Sequence, residues 1–148
     1  KTIEADANSF ASQLILPDYL VWPWVGDRKP SLDLASAMGG DFQASLTASA
    51  LKLLQRAKLP TAITCHDQRR LKWSRRSRDF ATDFYILSEL HQDTIAFEMA
   101  FGSAKGLSRP RRESASRWVS GPGAFRMDVW SQSIKLPEGS VLTMISIA

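Results

Sequence analysis

The spacing of apolar residues predicts helices in the first third of the chain. Apolar residues recur every three or four positions over residues 2–16, and Pro17 ends that run. Residues 18–30 contain two prolines, a glycine and two tryptophans. This composition predicts a connecting loop that is partly buried through its aromatic side chains.

Two short helices are predicted next. Ser31 caps a helix that ends at Gly39-Gly40, and Ser45 or Thr47 opens another. Two short helices joined by a glycine-containing segment are typical of a helix-turn-helix motif. The second helix, however, carries Ala, Ser and Leu where a DNA-reading helix would carry Arg, Asn or Gln. Core packing is therefore the better interpretation.

Beyond residue 60 the pattern becomes that of strands. Residues 61–65 and 70–74 predict a hairpin, and Asp93 is the predicted cap of a later helix. The final run at 141–147 is apolar on both faces, which predicts a central, covered strand. The fold class is therefore α+β, with N-terminal helices followed by an antiparallel sheet with a packed helix.

Two further predictions concern the segment before the last strand. Residues 115–119 are predicted to form a strand. Apolar residues then alternate at odd positions up to Val129 but fall on even positions at Ile134 and Leu136. Such a change of parity predicts a β-bulge near residues 130–133.

The overall composition bounds the class of protein. The 148 residues fit one domain, or one domain with a smaller attached piece. Cys65 is the one cysteine, so the chain holds no internal disulfide and a reducing cytosol is favoured. No apolar run reaches the roughly 18 residues of a spanning helix, and no signal peptide is visible. The expectation is a cytoplasmic protein without a membrane partner.

Positive charge is concentrated in one part of the sequence. The net charge is +4, and six of the cations fall between Arg69 and Arg78, around an aromatic residue. This basic stretch suits nucleic-acid phosphates, with the aromatic ring available for stacking, or an acidic patch on a protein partner. The alternative is a solvated strand face with the tryptophan inside. Its residues are Arg69, Arg70, Lys72, Trp73, Arg75, Arg76 and Arg78.

A longer motif lies in the first predicted helix. Residues 4–17 read EADANSFASQLILP. They resemble the second metal-site helix of the ImmA/IrrE family of metallopeptidases, which reads E-x-x-A-N-x-F-A-x-x-L-L-x-P, with Ile15 in place of the second Leu. Later residues resemble the C-terminal region of family members more loosely, namely residues 45–51, Trp73, Arg75, Ser77, Phe80, Leu142 and Thr143.

The resemblance implies a zinc-site role for two residues of this helix. A catalytic zinc needs three protein ligands and a water, commonly two histidines and one carboxylate. By resemblance, Glu4 is the third zinc ligand. Asn8 lies one helical turn further on and would hold a ligand histidine through its amide oxygen. The simpler interpretation is that both are solvated polar residues of an amphipathic helix.

The sequence departs from the family in lacking the HExxH motif. His66 and His91 are isolated and follow the Glu4 helix, so they are not expected to form a metal site. Cys65 beside His66 is not a nucleophile–base pair either, because neighbours on a strand point to opposite faces. A buried structural cysteine is the expectation for Cys65, since a free cysteine usually packs as a small hydrophobic side chain. This chain alone is therefore expected to be inactive and zinc-free, with no catalytic residue of its own.

By the same resemblance, residues 1–58 would complete a metallopeptidase domain, and residues 59–148 would form a C-terminal α+β sensing or substrate-positioning module. The intact protein would be a bacterial zinc hydrolase that cleaves a helix-turn-helix transcriptional repressor. Its histidines and general base would precede Lys1. The competing hypothesis is a non-catalytic module that binds nucleic acid through the Arg69–Arg78 stretch or senses a small ligand in the sheet.

Overall fold

The computed structural model describes residues 13–148. Residues 13–15 are helical, and four further helices follow them. These helices are α1 (Asp18–Val25), α2 (Leu32–Phe42), α3 (Leu46–Leu54) and α4 (Ile95–Phe101). The strands are β1 (Thr61–His66), β2 (Leu71–Arg76), β3 (Tyr85–Ile86), β4 (Arg111–Ser114), β5 (Val119–Ser120), β6 (Asp128–Lys135) and β7 (Val141–Ile147).

Five of these strands form one antiparallel sheet in the order β2-β1-β7-β6-β4. The strands β3 and β5 pair separately as a short antiparallel ribbon. The last strand of the chain, β7, is the middle strand of the main sheet, and its first five residues are buried. The α+β prediction is confirmed, and so is the central, covered position of the final strand.

Both faces of the main sheet are covered. On one face, the helices α1 to α3 pack against alternate residues of β1 and β7, including Ile63 and Leu142. On the other face, α4 and the segment around Trp118 pack against Val129 and Ile145. Because helices α1 to α3 share their core with the sheet, the pair α2–α3 is explained by packing. The division of the chain at residue 59 stays a prediction.

The prediction of a loop over residues 18–30 is wrong for its first part. Residues Asp18–Val25 form α1, with Pro17 as the N-cap and Pro23 inside the helix. Val21 and Val25 lie one turn apart and are both buried. Their burial outweighs the hydrogen bond that Pro23 cannot donate. Proline content alone therefore gave the wrong secondary structure.

The two serine caps are confirmed. The hydroxyl of Ser31 accepts a hydrogen bond from the backbone N–H of Leu34 at 3.0 Å, and Ser45 does the same for Ala48 at 3.0 Å. The end of α2 differs from the prediction, because the helix continues past Gly39-Gly40 to Phe42. It ends at Gln43, whose left-handed backbone (φ 54°) turns the chain so that the N–H of Ala44 bonds the carbonyl of Gly39 at 2.9 Å.

Three details of the C-terminal half also differ. Thr94 rather than Asp93 caps α4, and residues 115–117 form a 3-10 turn before β5. The bulge predicted at residues 130–133 is absent, because β6 pairs with β7 in continuous register. Since both faces of β6 are covered, Val129 and Ile134 are each packed on a different face without any bulge.

None of the helices formed by residues 13–148 is long and apolar enough to cross a membrane. Cys65 is a buried free thiol that packs with the core beneath the helices, as the sequence predicted.

Candidate functional site: an arginine-lined cleft

The zinc-ligand residues of the motif cannot be placed. Glu4, Asn8 and the predicted helix up to residue 12 lie outside the described residues. The end of the motif is described. Leu14 and Ile15 are 68% and 50% exposed, whereas Leu16 is 1% exposed and belongs to the core.

Residues 13–148 contain no group of three or more His, Cys, Asp or Glu side chains that could hold a metal ion. The two histidines lie in different environments. His66 is buried in β1, with its Nε2 atom 3.0 Å from the carbonyl oxygen of Leu87. His91 is partly exposed, and its Nδ1 atom accepts a hydrogen bond from the backbone N–H of Asp93 at 3.1 Å.

The basic stretch is divided between two places. Its first part lies in the β1–β2 turn, where the backbone N–H groups of Arg70 and Arg69 donate to the Oδ1 atom of Asp67 at 2.8 and 2.7 Å. These bonds lower the pKa of Asp67 below its ordinary value. Lys72 is exposed and is the extra residue of a β-bulge, which lies opposite Cys65 and His66 of β1. The cations of this part of the stretch therefore lie close to a carboxylate of their own turn, that of Asp67.

Trp73 lies at the boundary between the basic stretch and the core. Its side chain is partly buried and packs against the cluster beneath helices α1 to α3. The guanidinium carbon of Arg75 lies 5.8 Å from the centroid of the Trp73 ring. Trp73 therefore links the core to the second part of the basic stretch.

The second part of the stretch lines a cleft between β2 and the helices. Its lining includes Arg75, Arg76 and Arg78, from β2 and the residues after it, and Arg56, just after α3. The cleft has a volume of about 820 Å³. Its remaining lining residues are Gln13, Asp18, Trp22, Leu51, Leu54, Gln55 and Ser77. Arg56 was missed from the sequence because it lies far from the basic stretch along the chain.

Aromatic rings hold two of these arginines in place. The guanidinium carbon of Arg56 lies 4.5 Å from the centroid of the Trp22 ring, and that of Arg76 lies 5.3 Å from the centroid of Phe80. Arg76 also donates to the carbonyl oxygen of Ala81 at 3.3 Å. Stacking of this kind orients the guanidinium planes and leaves the N–H groups of Arg56, and those of Arg76 that do not bond Ala81, able to donate.

The carboxylate that lines the cleft is already neutralised. Asp18 accepts a hydrogen bond from the ammonium of Lys52 at 2.5 Å, and this bond is the main reason that the pKa of Asp18 is lowered. The arginine charges of the cleft are therefore not balanced by Asp18. The cleft is suited to an anion with several acceptor oxygens.

A separate polar cluster is buried on the α4 side of the sheet. The carboxylate of Glu113 accepts hydrogen bonds from Trp118 at 2.7 Å, from Arg117 at 3.2 Å and from Ser131. Nearby on β1, the Nδ1 atom of His66 and the hydroxyl of Thr64 have no hydrogen-bond partner among the described residues. Burial lowers the pKa of His66 below its ordinary value.

Comparison of the chain with protein-family models and with curated proteins found no match. The assignment of function therefore rests on the residues themselves.

Proposed function

We propose that this chain is the C-terminal part of an ImmA/IrrE-like zinc metallopeptidase that cleaves a helix-turn-helix transcriptional repressor. Glu4 is the carboxylate ligand of the zinc in this proposal, and Asn8 holds one of the ligand histidines. The histidines and the general base come from residues that precede Lys1 in the intact protein. This part alone is inactive.

The observation that carries the proposal is the motif over residues 4–17 together with the exposure of its apolar end. Leu14 and Ile15 occupy the two positions at which the family has leucines, and both are largely exposed. Tyr19 and Leu20 on α1 are also exposed. Adjacent exposed apolar side chains of this kind are typical of a surface that another segment covers. A preceding histidine-bearing helix would cover it.

The experiment begins with the coding sequence upstream of Lys1. We expect an HExxH sequence there, and the longer chain should bind one zinc per molecule and cleave a helix-turn-helix repressor. In the longer chain, Glu4→Gln should abolish cleavage and weaken zinc binding, because the third ligand is lost. Zinc content measured by atomic emission gives a readout that is independent of the choice of substrate.

The matched control is Glu89→Gln, which changes an exposed glutamate away from the motif. It should leave both zinc content and cleavage unchanged. An upstream segment without a histidine pair in helical register would overturn the proposal. So would a Glu4→Gln chain that retains its zinc and its activity.

A second candidate function is nucleic-acid binding by the arginine-lined cleft. It is favoured by one observation, namely that Arg56 from the helical layer lines the same cleft as the arginines of β2 and the residues after it. Guanidinium groups that line one cleft can contact neighbouring phosphates of one strand. Trp22, with Arg56 stacked on it, also lines the cleft.

Titration of the chain with single-stranded DNA and RNA at two salt concentrations tests this candidate. Affinity should fall steeply with salt, and the Arg75→Gln/Arg76→Gln variant should reduce both the affinity and the salt slope, since each lost phosphate contact lowers that slope by about one. The control Arg69→Gln/Arg70→Gln removes the same number of positive charges from the β1–β2 turn, outside the cleft. Equal loss in both double variants, or no binding at low salt, would overturn the candidate.

A further inference from the structure

A second cavity lies beside the cleft, at the junction of α1, α3 and the ends of β1 and β7. Its volume is about 410 Å³, which is at the small end of the range for ligand pockets. Its interior is mostly apolar, with Val25, Leu53, Pro30 and Ala57 among the lining residues. Val25 and Leu53 belong to the core, so part of the wall is held by the packed interior.

The rim of this cavity is strongly cationic. It includes Arg28, Lys29, Arg56 and Lys58, against the single carboxylate of Asp27. All five are exposed. The apolar interior suits a hydrocarbon group, and the cations at the mouth suit an anionic group.

The side chain of Arg28 already interacts with other groups of the protein. Its guanidinium lies 4.3 Å from the centroid of the Trp24 ring and donates to the carbonyl oxygens of Val25 and Trp24. Lys29, Arg56 and Lys58 make no ion pair with any other residue between Gln13 and Ala148. These side chains are therefore available to an external anion.

We propose that this cavity binds a small amphiphilic anion: an apolar body enclosed by the Val25–Leu53 wall, with one carboxylate or phosphate head at Arg56 and Lys58. Burial of the apolar body supplies most of the affinity, and the head group fixes its orientation at the rim. Neither part alone accounts for the site. Inorganic phosphate would make no apolar contact with the wall, and an alcohol would form no ion pair with the cations.

Trp22 and Arg56 line both this cavity and the arginine-lined cleft. Lys58 and Ala57 line the cavity but not the cleft, whereas Arg75 lines the cleft but not the cavity. Variants at these positions therefore separate the amphiphile site from the nucleic-acid candidate. The inference rests on neither proposed function.

The test is calorimetric titration of the 148-residue chain with octanoate, octyl phosphate, octanol and inorganic phosphate. Octanoate or octyl phosphate should bind at least about tenfold more tightly than octanol and than inorganic phosphate, because only they satisfy both parts of the site. Comparison of the two amphiphiles identifies the preferred head group. Octanol binding as tightly as either anion, inorganic phosphate binding best, or no binding of any probe would overturn the proposal.

Two variants locate the site. Lys58→Gln should weaken binding of the anionic amphiphiles by up to about fivefold with no effect on octanol, the range expected for an exposed ion pair. Ala57→Phe, which fills the cavity, should abolish binding of all octyl probes while thermal unfolding shows that the chain still folds. Arg75→Gln and Arg126→Gln are the controls. If either weakens octanoate binding as much as Lys58→Gln does, the site lies elsewhere.

Discussion

The ammonium of Lys52 is fully buried and lies 2.5 Å from the Oδ1 atom of Asp18, whose side chain is 51% exposed. The pair joins α3 to the start of α1 and forms beside Trp22, whose ring centroid lies 5.5 Å from the same ammonium. The two charges therefore sit in unequal surroundings. The buried ammonium of Lys52 has Asp18 as its counter-charge, whereas the carboxylate of Asp18 is also exposed to solvent.

This asymmetry predicts that the two ends of the pair respond differently to mutation. Asp18→Asn should lower the free energy of unfolding clearly, because it leaves a buried ammonium without its counter-charge. Lys52→Met should stay within about 1 kcal/mol of the parent, because an apolar side chain replaces the buried charge and the exposed carboxylate stays hydrated. Urea unfolding measures both. Equal losses, or a larger loss for Lys52→Met, would contradict the assignment.

His66 should make stability depend on pH. Burial is the largest cause of its lowered pKa and outweighs the opposing effects of the Leu87 carbonyl and Asp67. The unfolded chain therefore binds the proton more tightly than the folded one. Stability is fully present above the ordinary pKa of 6.5 and declines as pH falls below it, by at most about 1.4 kcal/mol per pH unit, until the folded pKa is reached.

Urea unfolding at a series of pH values between 5 and 8 measures this dependence. His66→Gln should remove the decline below pH 6.5, although the variant is less stable at every pH. His91→Gln is the matched control, since His91 is partly exposed, and it should retain the decline. The prediction fails if the His91 variant loses the decline and the His66 variant keeps it.

Glu113 should be important for stability, because its carboxylate gathers the donors of Trp118, Arg117 and Ser131 while its side chain is almost fully buried. Glu113→Ala leaves the buried indole N–H without its acceptor and the serine hydroxyl with only the carbonyl oxygen of Arg111, at 3.4 Å. We expect it to lower the free energy of unfolding by about 3 kcal/mol. Glu89→Ala, at an exposed position, should change it by less than about 0.5 kcal/mol. Comparable losses for the two would contradict the network.

The adjacent glycines of α2 should respond in opposite directions to alanine. A Cβ atom at Gly39 would lie 2.7 Å from the backbone oxygen of Ala44, whereas one at Gly40 would meet nothing within 4 Å. Gly39→Ala should therefore destabilise the protein by about 1–3 kcal/mol. Gly40→Ala should stabilise it by about 0.5–1 kcal/mol through helix propensity. Thermal unfolding of the two variants measures both changes in stability. If both variants were stabilised, or both destabilised, the prediction based on the contact between residue 39 and the Ala44 oxygen would be wrong.

Local signals explain which elements were predictable. The caps at Ser31 and Ser45 follow from residue type and neighbouring apolar spacing, and the final strand follows from an unbroken apolar run. Predictions failed where packing overrode composition. In α1, the burial of Val21 and Val25 outweighs Pro23, and in β6 the coverage of both faces removes the need for a bulge.

The sequence by itself determined the α+β class, the serine caps of α2 and α3, the buried cysteine and the concentration of positive charge near β2, because each depends on residues that are close along the chain. Only the tertiary structure brought Arg56 to the arginines of the cleft and to the mouth of the second cavity. Only the tertiary structure paired Lys52 with Asp18. Contacts between residues far apart along the chain depend on how the helices and the sheet pack, and no local pattern of apolar and polar residues encodes them.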